Sequence, residues 1–313
     1  MARTVAVTGA TGFIGSHVVG RLGRAGWQVR ILTRRVPANA AFADVSVEAV
    51  IGTLEDRAAV AHLVEGADAI VHAAGRIKAR SHAEFFAANA TGTRLLVEAA
   101  IAAGNRPRFV LLSSLAARQP QISDYAASKL AAEGELTRLD DDLPWSILRP
   151  PAVYGPGDRE TLAFFRALRM GLAIRPPGKA RLSLLHVGDL AAAVAATLAA
   201  PAPLPGALEL DDGHGGYGWD EMIGVAARHL GVRPLRLPVP GLLLKGVAHL
   251  NDALHRATGE PAMLTPGKVR EMLHPDWTAR DGAVTAATGW RPQVGLDQGF
   301  AETVAWYRQQ QWL

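Results

Sequence analysis

The chain contains no cysteine. Disulfides, thiolate nucleophiles and Cys-ligated zinc are therefore excluded, which fits a reducing cytosol. Its longest apolar runs, around 190–200 and 235–250, fall short of the ~18–20 residues that a membrane-spanning helix needs, and the second is interrupted by Pro238, Pro240, Gly241 and Lys245. The opening "MARTVAVTGA" lacks a basic-then-apolar leader pattern. The expectation is a soluble, cytoplasmic protein without an integral membrane segment, with peripheral membrane contact left open. Charge of one sign is also scarce. A net charge of +4 comes from scattered residues, with only Arg34 and Arg35 adjacent, and no basic stripe interleaves with aromatics. Nucleic acid is accordingly not an expected partner. The ten histidines include no HxxxH or HExxH pair, so no metal site is expected. Asp140-Asp141-Asp142 reads as a solvated helix end, and Asp211-Asp212 as part of a glycine loop.

What is present is an alternation. Strand-like runs at 4–9, 28–33, 47–52, 69–74, 108–114 and 145–150 are separated by helical stretches near 15–25, 55–65, 82–103 and 125–139. Several of the strands are near-continuous apolar text, as in a sheet covered on both faces. The expected fold is α/β, a doubly wound parallel sheet built from right-handed βαβ crossovers. After Pro150 the rhythm weakens. A boundary near 155 divides residues 1–155 from a smaller mixed α/β lobe over 156–313. Segments near 184–212, including the strand-like "ALEL" (207–210), are expected to return to the first unit.

The first motif is "TGATGFIG" (8–15), between a strand and a helix. Gly9 permits a tight turn, Gly12 lets backbone approach a pyrophosphate, and Gly15 lets the helix pack against the strand. The helix N-terminus then supplies free N–H groups and a positive dipole end to the phosphates. An NAD site calls for Asp or Glu at the end of the second strand, to bond the ribose. Here "ILTRR" offers Thr33, Arg34 and Arg35 instead, so a 2′-phosphate and NADP(H) are the preferred expectation, with NAD(H) the alternative.

The second motif is "YAASK" (125–129). Tyr125 and Lys129 are four apart and share a helix face. A cation one turn away would favour phenolate and bring down a tyrosine pKa that is ordinarily near ~10. Ser114, at the end of the fifth strand, is placed to hold a substrate oxygen, though Ser113 beside it competes for the role.

Together with "VHAAG" (71–75), "NATGTRLLVEAA" (89–100), "SSLAA" (113–117), "RPPAVYGPGD" (149–158) and "LLHVGDLA" (184–191), these motifs resemble the extended short-chain dehydrogenase/reductase superfamily, in its epimerase-and-dehydratase-like branch. The resemblance implies a Rossmann-type fold with a substrate-binding lobe. It makes Tyr125 the catalytic acid/base, Lys129 its partner and ribose ligand, and Ser114 the substrate-orienting hydroxyl. By the same resemblance Gly9, Thr11, Gly12, Phe13, Ile14, Gly15, Arg34, Arg35, Thr53, Leu54, Ala73, Ala74, Gly75, Asn89, Pro150 and Val153 would line the cofactor. The helices 82–103 and 125–139 resemble those that pair subunits into a homodimer.

Two departures stand out. Thr53 occupies a position where the family often has Asp. Only ten residues separate Ser114 from Tyr125, whereas sugar-nucleotide epimerases usually carry a longer insertion. The short spacing also resembles relatives of a respiratory complex I accessory subunit, in which active residues are often degenerate. The readings are therefore, in order: an NADP(H)-dependent oxidoreductase of a small hydrophobic alcohol or ketone, a nucleotide-sugar epimerase or dehydratase with tightly bound NAD, and a non-catalytic NADP-binding assembly protein. The apolar "LPVPGLLLKGVAHL" (237–250) is expected to be pocket wall or core, and Phe164 and Phe165 likewise.

Overall fold

The computed structural model describes residues 3–36, 42, 45–138, 143–258, 265–280 and 282–313, the last seven of 143–258 by backbone alone. Asp140, Asp141 and Asp142 lie outside the described residues.

The first half alternates as its apolar periodicity dictates. In order it runs β1 (Thr4–Thr8), α1 (Phe13–Arg24), β2 (Gln28–Thr33), β3 (Val47–Ile51), α2 (Arg57–Val64), β4 (Ala69–His72) and α3 (His82–Phe86). It continues with α4 (Gly92–Ala102), β5 (Arg108–Leu112), α5 (Asp124–Thr137) and β6 (Trp145–Arg149). The second half holds β7 (Ala152–Tyr154), α6 (Leu162–Arg169), β8 (Leu172–Arg175), β9 (Arg181–Leu182), β10 (Leu184–His186), α7 (Val187–Ala199) and β11 (Ala207–Glu209). Then come β12 (Tyr217–Gly218), α8 (Trp219–Leu230), β13 (Leu235–Pro238), α9 (Gly241–Thr258), α10 (Pro266–Leu273), β14 (Asp276–Trp277), α11 (Ala283–Thr288) and α12 (Leu296–Gln309).

Seven strands form one sheet in the order β11-β6-β5-β4-β1-β2-β3, every neighbouring pair parallel. This is the doubly wound α/β architecture. One face buries Val5, Val7, Val29 and Ile31 beneath α1 and α7, and the other buries Ala6, Ile70, Phe109 and Leu111 beneath α2, α4 and α5. Successive strand residues thus feed opposite cores, which is why these strands read as unbroken apolar text. β11 pairs with β6 in the register Leu208↔Leu148, so the "ALEL" segment does return to the main sheet. A separate apolar cluster, centred on Tyr154, Phe165, Phe300 and Tyr307, joins α6, α8 and α12.

Two elements differ from expectation. The helix expected over 82–103 is interrupted: α3 passes into a π-helical turn, Ala87–Thr91, before α4 begins. Such single-turn widenings are frequent at functional sites, and Asn89 sits in this one. The apolar 237–250 stretch is neither pocket wall nor continuous core. Pro238 and Pro240 end β13, α9 begins at Gly241, and only Leu244 and Ala248 of its first ten residues are buried. Pro240 was read as a breaker, but just ahead of the first helical residue it is compatible with a helix start.

Candidate active site

Because every strand of the main sheet runs the same way, the loops after β1, β2, β3, β4, β5 and β6 all open on its carboxyl edge. The strand order reverses between β1 and β4, the place where ligands bind in such sheets.

The glycine loop is sterically determined. Gly9 has φ +70°, and a Cβ there would lie 2.6 Å from the Ala73 carbonyl carbon and from Ala74 N. A Cβ on Gly15 would lie 2.0 Å from the Gly9 carbonyl oxygen, so α1 approaches β1 more closely than any side chain permits. Gly12 caps α1 with no side-chain hydrogen bond, and no acidic residue occupies the first turn. The helix end therefore keeps its donors and positive dipole end for an anion. Thr11 and Gly12 are exposed at the rim, while Ile14 packs onto the sheet core. Phe13 edges onto His17, whose Nε2 lies 2.9 Å from the Pro156 carbonyl oxygen.

Arg34 and Arg35 follow β2 and are exposed, without an ion pair among the described residues. Thr33 is spent locally, its hydroxyl donating to the Arg35 carbonyl (2.8 Å). Thr53 is exposed beside them, whereas Leu54 packs toward α4, where a Cβ on Gly92 would meet it at 2.9 Å. Pro150 is buried after β6, and its carbonyl accepts from Leu115 N (2.8 Å); Val153 in β7 is half-buried against the core.

A cluster converges where β4, β5, the π turn and α5 meet. Asn89 is buried and fully bonded: Nδ2 donates to the Arg76 carbonyl (3.0 Å) and Ser128 Oγ (2.8 Å), and Oδ1 accepts from Arg76 N (2.7 Å). It clamps the Ala73-Ala74-Gly75 loop onto α5. A Cβ on Gly75 would lie 3.7 Å from Lys129 Nζ.

Ser114, whose Oγ accepts from Ala116 N (3.2 Å), stands close enough to Tyr125 for its hydroxyl to bear on the phenol. The structure also separates the two adjacent serines, because Ser113 is buried and donates to Glu133. Glu133 in turn receives Arg149 through two bonds, of 2.8 and 2.6 Å. Neither sequence spacing nor motif singled out this ion pair, although Tyr125, Lys129 and Glu133 lie on one helical stripe at four-residue steps. Beyond it, Glu209 of β11 pairs with Arg118 at 3.1 Å.

Tyr125 does not behave as its spacing suggested. Burial of its hydroxyl pushes its pKa up to about 12, the Ser114 hydroxyl opposing this and the Glu271 carboxylate adding to it. Lys129 does not bring it down. Lys129 itself is buried and drops to about 8, with Glu133 opposing the shift, and its Nζ donates to the Leu112 carbonyl (2.6 Å). His72 is also buried and falls to about 3, through burial first and the Lys129 charge second. At neutral pH the centre therefore holds a protonated phenol, a neutral imidazole and a readily titrated amine. α10 packs over it: Ser123 Oγ donates to Glu271 (2.5 Å), and Arg270 Nε donates to the Ile122 carbonyl (2.6 Å).

His186 caps α7, its Nδ1 accepting from Gly188 N (3.3 Å). Asp211 and Asp212 accept from backbone and from Ser183 and Tyr217, as a structural loop would. No group of three or more His, Cys, Asp or Glu side chains among the described residues could hold a metal.

The family model for the NAD dependent epimerase/dehydratase family matches residues 5–208. The chain belongs to that family. Members of this extended short-chain dehydrogenase/reductase group are NAD(P)-dependent enzymes, and the glycine cradle, the uncapped α1 and the carboxyl-edge loops fit such a dinucleotide. The chain is 43% identical to ceramide reductase of Caulobacter vibrioides, over 99% of this chain and 96% of that one. It is 28% identical to sterol demethylase protein B of Methylococcus capsulatus, over 98% of each. The family's fold recurs in the crystal structure of the dTDP-glucose 4,6-dehydratase DesIV from Streptomyces venezuelae, solved with NAD and TYD bound: TM-score 0.77, 24% identity, 98% of this chain and 97% of that one. Enzymes of this kind set aside the non-catalytic reading.

Proposed function

We propose that the protein is an NADP(H)-dependent reductase that converts a ketone on an apolar, lipid-like molecule to the secondary alcohol. One observation carries the chemistry: Ser114 meets a Tyr125 that is held protonated, at the edge where the glycine cradle opens. At neutral pH this phenol carries its proton, as the acid in a carbonyl reduction must. The substrate class follows relatives named for a ceramide and a sterol, both largely apolar.

Gly9, Thr11, Gly12, Phe13, Ile14 and Gly15 would hold the pyrophosphate end, and Arg34 and Arg35 the 2′-phosphate. Thr53, Leu54, Ala73, Ala74 and Gly75 would line the adenosine side and the middle of the cofactor. Pro150 and Val153 would back the nicotinamide. When bound, the cofactor supplies the hydride. Ser114 orients the substrate oxygen, Tyr125 delivers its proton to that oxygen, and Lys129 stands one turn away to restore it. Asn89 positions the Gly75 loop, and Glu133 sets the charge beside Lys129.

The remaining parts of the reading are a substrate lobe formed mainly by residues 156–313, a homodimer through α4 and α5, and residence in the reducing cytosol. Leu130, exposed on α5, would be covered in such a dimer. Size-exclusion chromatography with light scattering tests this, with a monomer defeating it.

The decisive experiment measures NADPH and NADH oxidation with a long-chain keto-lipid and, separately, turnover of UDP-glucose. NADPH consumption on the lipid alone is expected, and Tyr125→Phe should lower kcat by roughly 10²–10⁴-fold with cofactor binding intact. Copurifying NAD together with sugar-nucleotide turnover would establish the epimerase reading instead.

A further inference from the structure

The C-terminal half carries an apolar face that no part of the described chain covers. β8 and β13 form a two-stranded parallel ribbon in the register Leu235↔Leu172 and Leu237↔Ile174. Paired residues share a face, and alternate residues of one strand share it too. Leu172, Ile174, Leu235 and Leu237 therefore all stand on one side, and all are exposed, Leu235 by 64%. The buried side takes Ala173. Two residues separate the ribbon from α9, whose second residue, Leu242, is 83% exposed. Along it Leu243, Val247 and Leu250 recur at i, i+4 and i+7 as an exposed stripe, while Leu244 and Ala248 pack inward on Val269 of α10. Exposed apolar residues gathered on consecutive elements in this way point to an interaction surface rather than ordinary scatter.

The segments that build it carry charge of one sign. Residues 166–179 and 228–250, which build the ribbon, its flanks and the first turns of α9, contain eight of the chain's 33 Lys and Arg residues and none of its 29 Asp and Glu. The rest of the chain is net negative. Arg175 and Arg236 share Asp220, at 3.2 and 3.5 Å, and Arg228 reaches Asp297 at 2.8 Å. Arg169, Lys179, Arg233 and Lys245 have no carboxylate partner among the described residues.

We propose that this face docks on an anionic lipid bilayer, its ribbon and α9 side chains entering the headgroup boundary and its basic rim meeting lipid phosphates. Apolar side chains framed by Lys and Arg, with low overall hydrophobicity, are the composition of interfacial binding. The same charge disfavours a second copy as the occupant. A two-fold interface would set one basic rim against its duplicate. Nothing in this assignment depends on the reductase reading, since binding needs neither cofactor nor substrate. α10 joins the two regions: it packs against α9 on one side and bonds Ser123, two residues from Tyr125, on the other.

The test is co-sedimentation of the full chain with vesicles of phosphatidylcholine, pure or containing about one-third phosphatidylglycerol as the anionic lipid. The wild type should partition at least tenfold more strongly onto the anionic vesicles, and added salt should weaken this. Arg233→Ala and Lys179→Ala should each lower binding by roughly fivefold, the value of one cation near such a surface. The Leu243→Glu/Val247→Glu variant should lose binding at low and high salt alike, with an unchanged melting midpoint showing that it is folded. Three results would overturn the proposal. The wild type stays in the supernatant with both vesicles; the variants bind as the wild type does; or the wild type is a dimer that Leu243→Glu converts to monomer, so that a second copy covers the face.

Discussion

The carboxyl edge of the sheet and the outer face of β8, β13 and α9 treat their side chains in opposite ways. At the edge the buried polar groups around the Ser114–Tyr125 centre are committed. Asn89 spends both ends of its amide, Ser113 and Arg149 converge on Glu133, and Gly9 and Gly15 leave no room for a methyl group. On the outer face, leucines stand in solvent and several cations lack a carboxylate partner. The first arrangement recognises one small molecule in one pose, which requires fixed geometry. The second tolerates change because it matches only polarity and charge.

That contrast should appear as a gradient of mutational sensitivity. The steepest effect is expected at Gly15→Ala, which would force a Cβ to 2.0 Å from the Gly9 carbonyl. Displacing the cradle by an ångström should cost on the order of 100-fold in kcat/KM for the cofactor, read by steady-state kinetics. Leu243→Ser on the outer face should leave both kcat/KM and the melting midpoint unchanged. A large loss there would erase the distinction.

Next is Glu133→Gln, which strands the Arg149 guanidinium in a buried site. It should destabilise by about 3–5 kcal/mol in urea melts, whereas Arg228→Ala, which breaks the exposed pair with Asp297, should cost under about 1 kcal/mol. Arg34→Ala should raise KM for NADPH about tenfold, near 1.4 kcal/mol of binding, and leave KM for NADH unchanged. Equal effects on both would remove Arg34 from the phosphate.

The last effect is on pH dependence. Lys129 has its folded pKa lowered to about 8 from an ordinary 10.5. Between those values the unfolded chain holds the proton and the folded one does not, so stability should rise with pH from about 8 to 10.5. Below pH 8 both states are protonated and the burial penalty is present in full. Lys129→Met should flatten that rise in thermal melts; an unchanged slope would show that some other group titrates there.

What was legible in the sequence follows from how local each feature is. The glycine loop and "YAASK" are each contained within eight residues, so spacing alone announces them, and alternating apolar runs announce the sheet. The choice between Ser113 and Ser114 was not legible, because it depends on where Glu133 of α5 arrives. The direction of the Tyr125 shift was missed because burial, a property of the whole fold, outweighs a cation at i+4. The chain from Glu133 and Arg149 toward Glu209 and Arg118 draws on α5, β6, β11 and the turn after β5, which only the closed sheet brings together. The 237–250 stretch misled for a different reason. Composition shows that residues are apolar, but only packing shows that Leu237, Leu242, Leu243, Val247 and Leu250 stay exposed among the described residues.

The return of β11 to the edge of the sheet limits how this protein can be recombined. Its Glu209 pairs with Arg118 and also accepts from Arg280 N (2.8 Å), so the late chain is bonded into the wall behind Ser114. A chimaera made by a single splice near residue 155 would bring in a foreign seventh strand with no assurance of that carboxylate. Exchanging substrate preference therefore calls for transplanting 156–183 and the region after 212 as separate cassettes, keeping β10, α7 and β11 with the host.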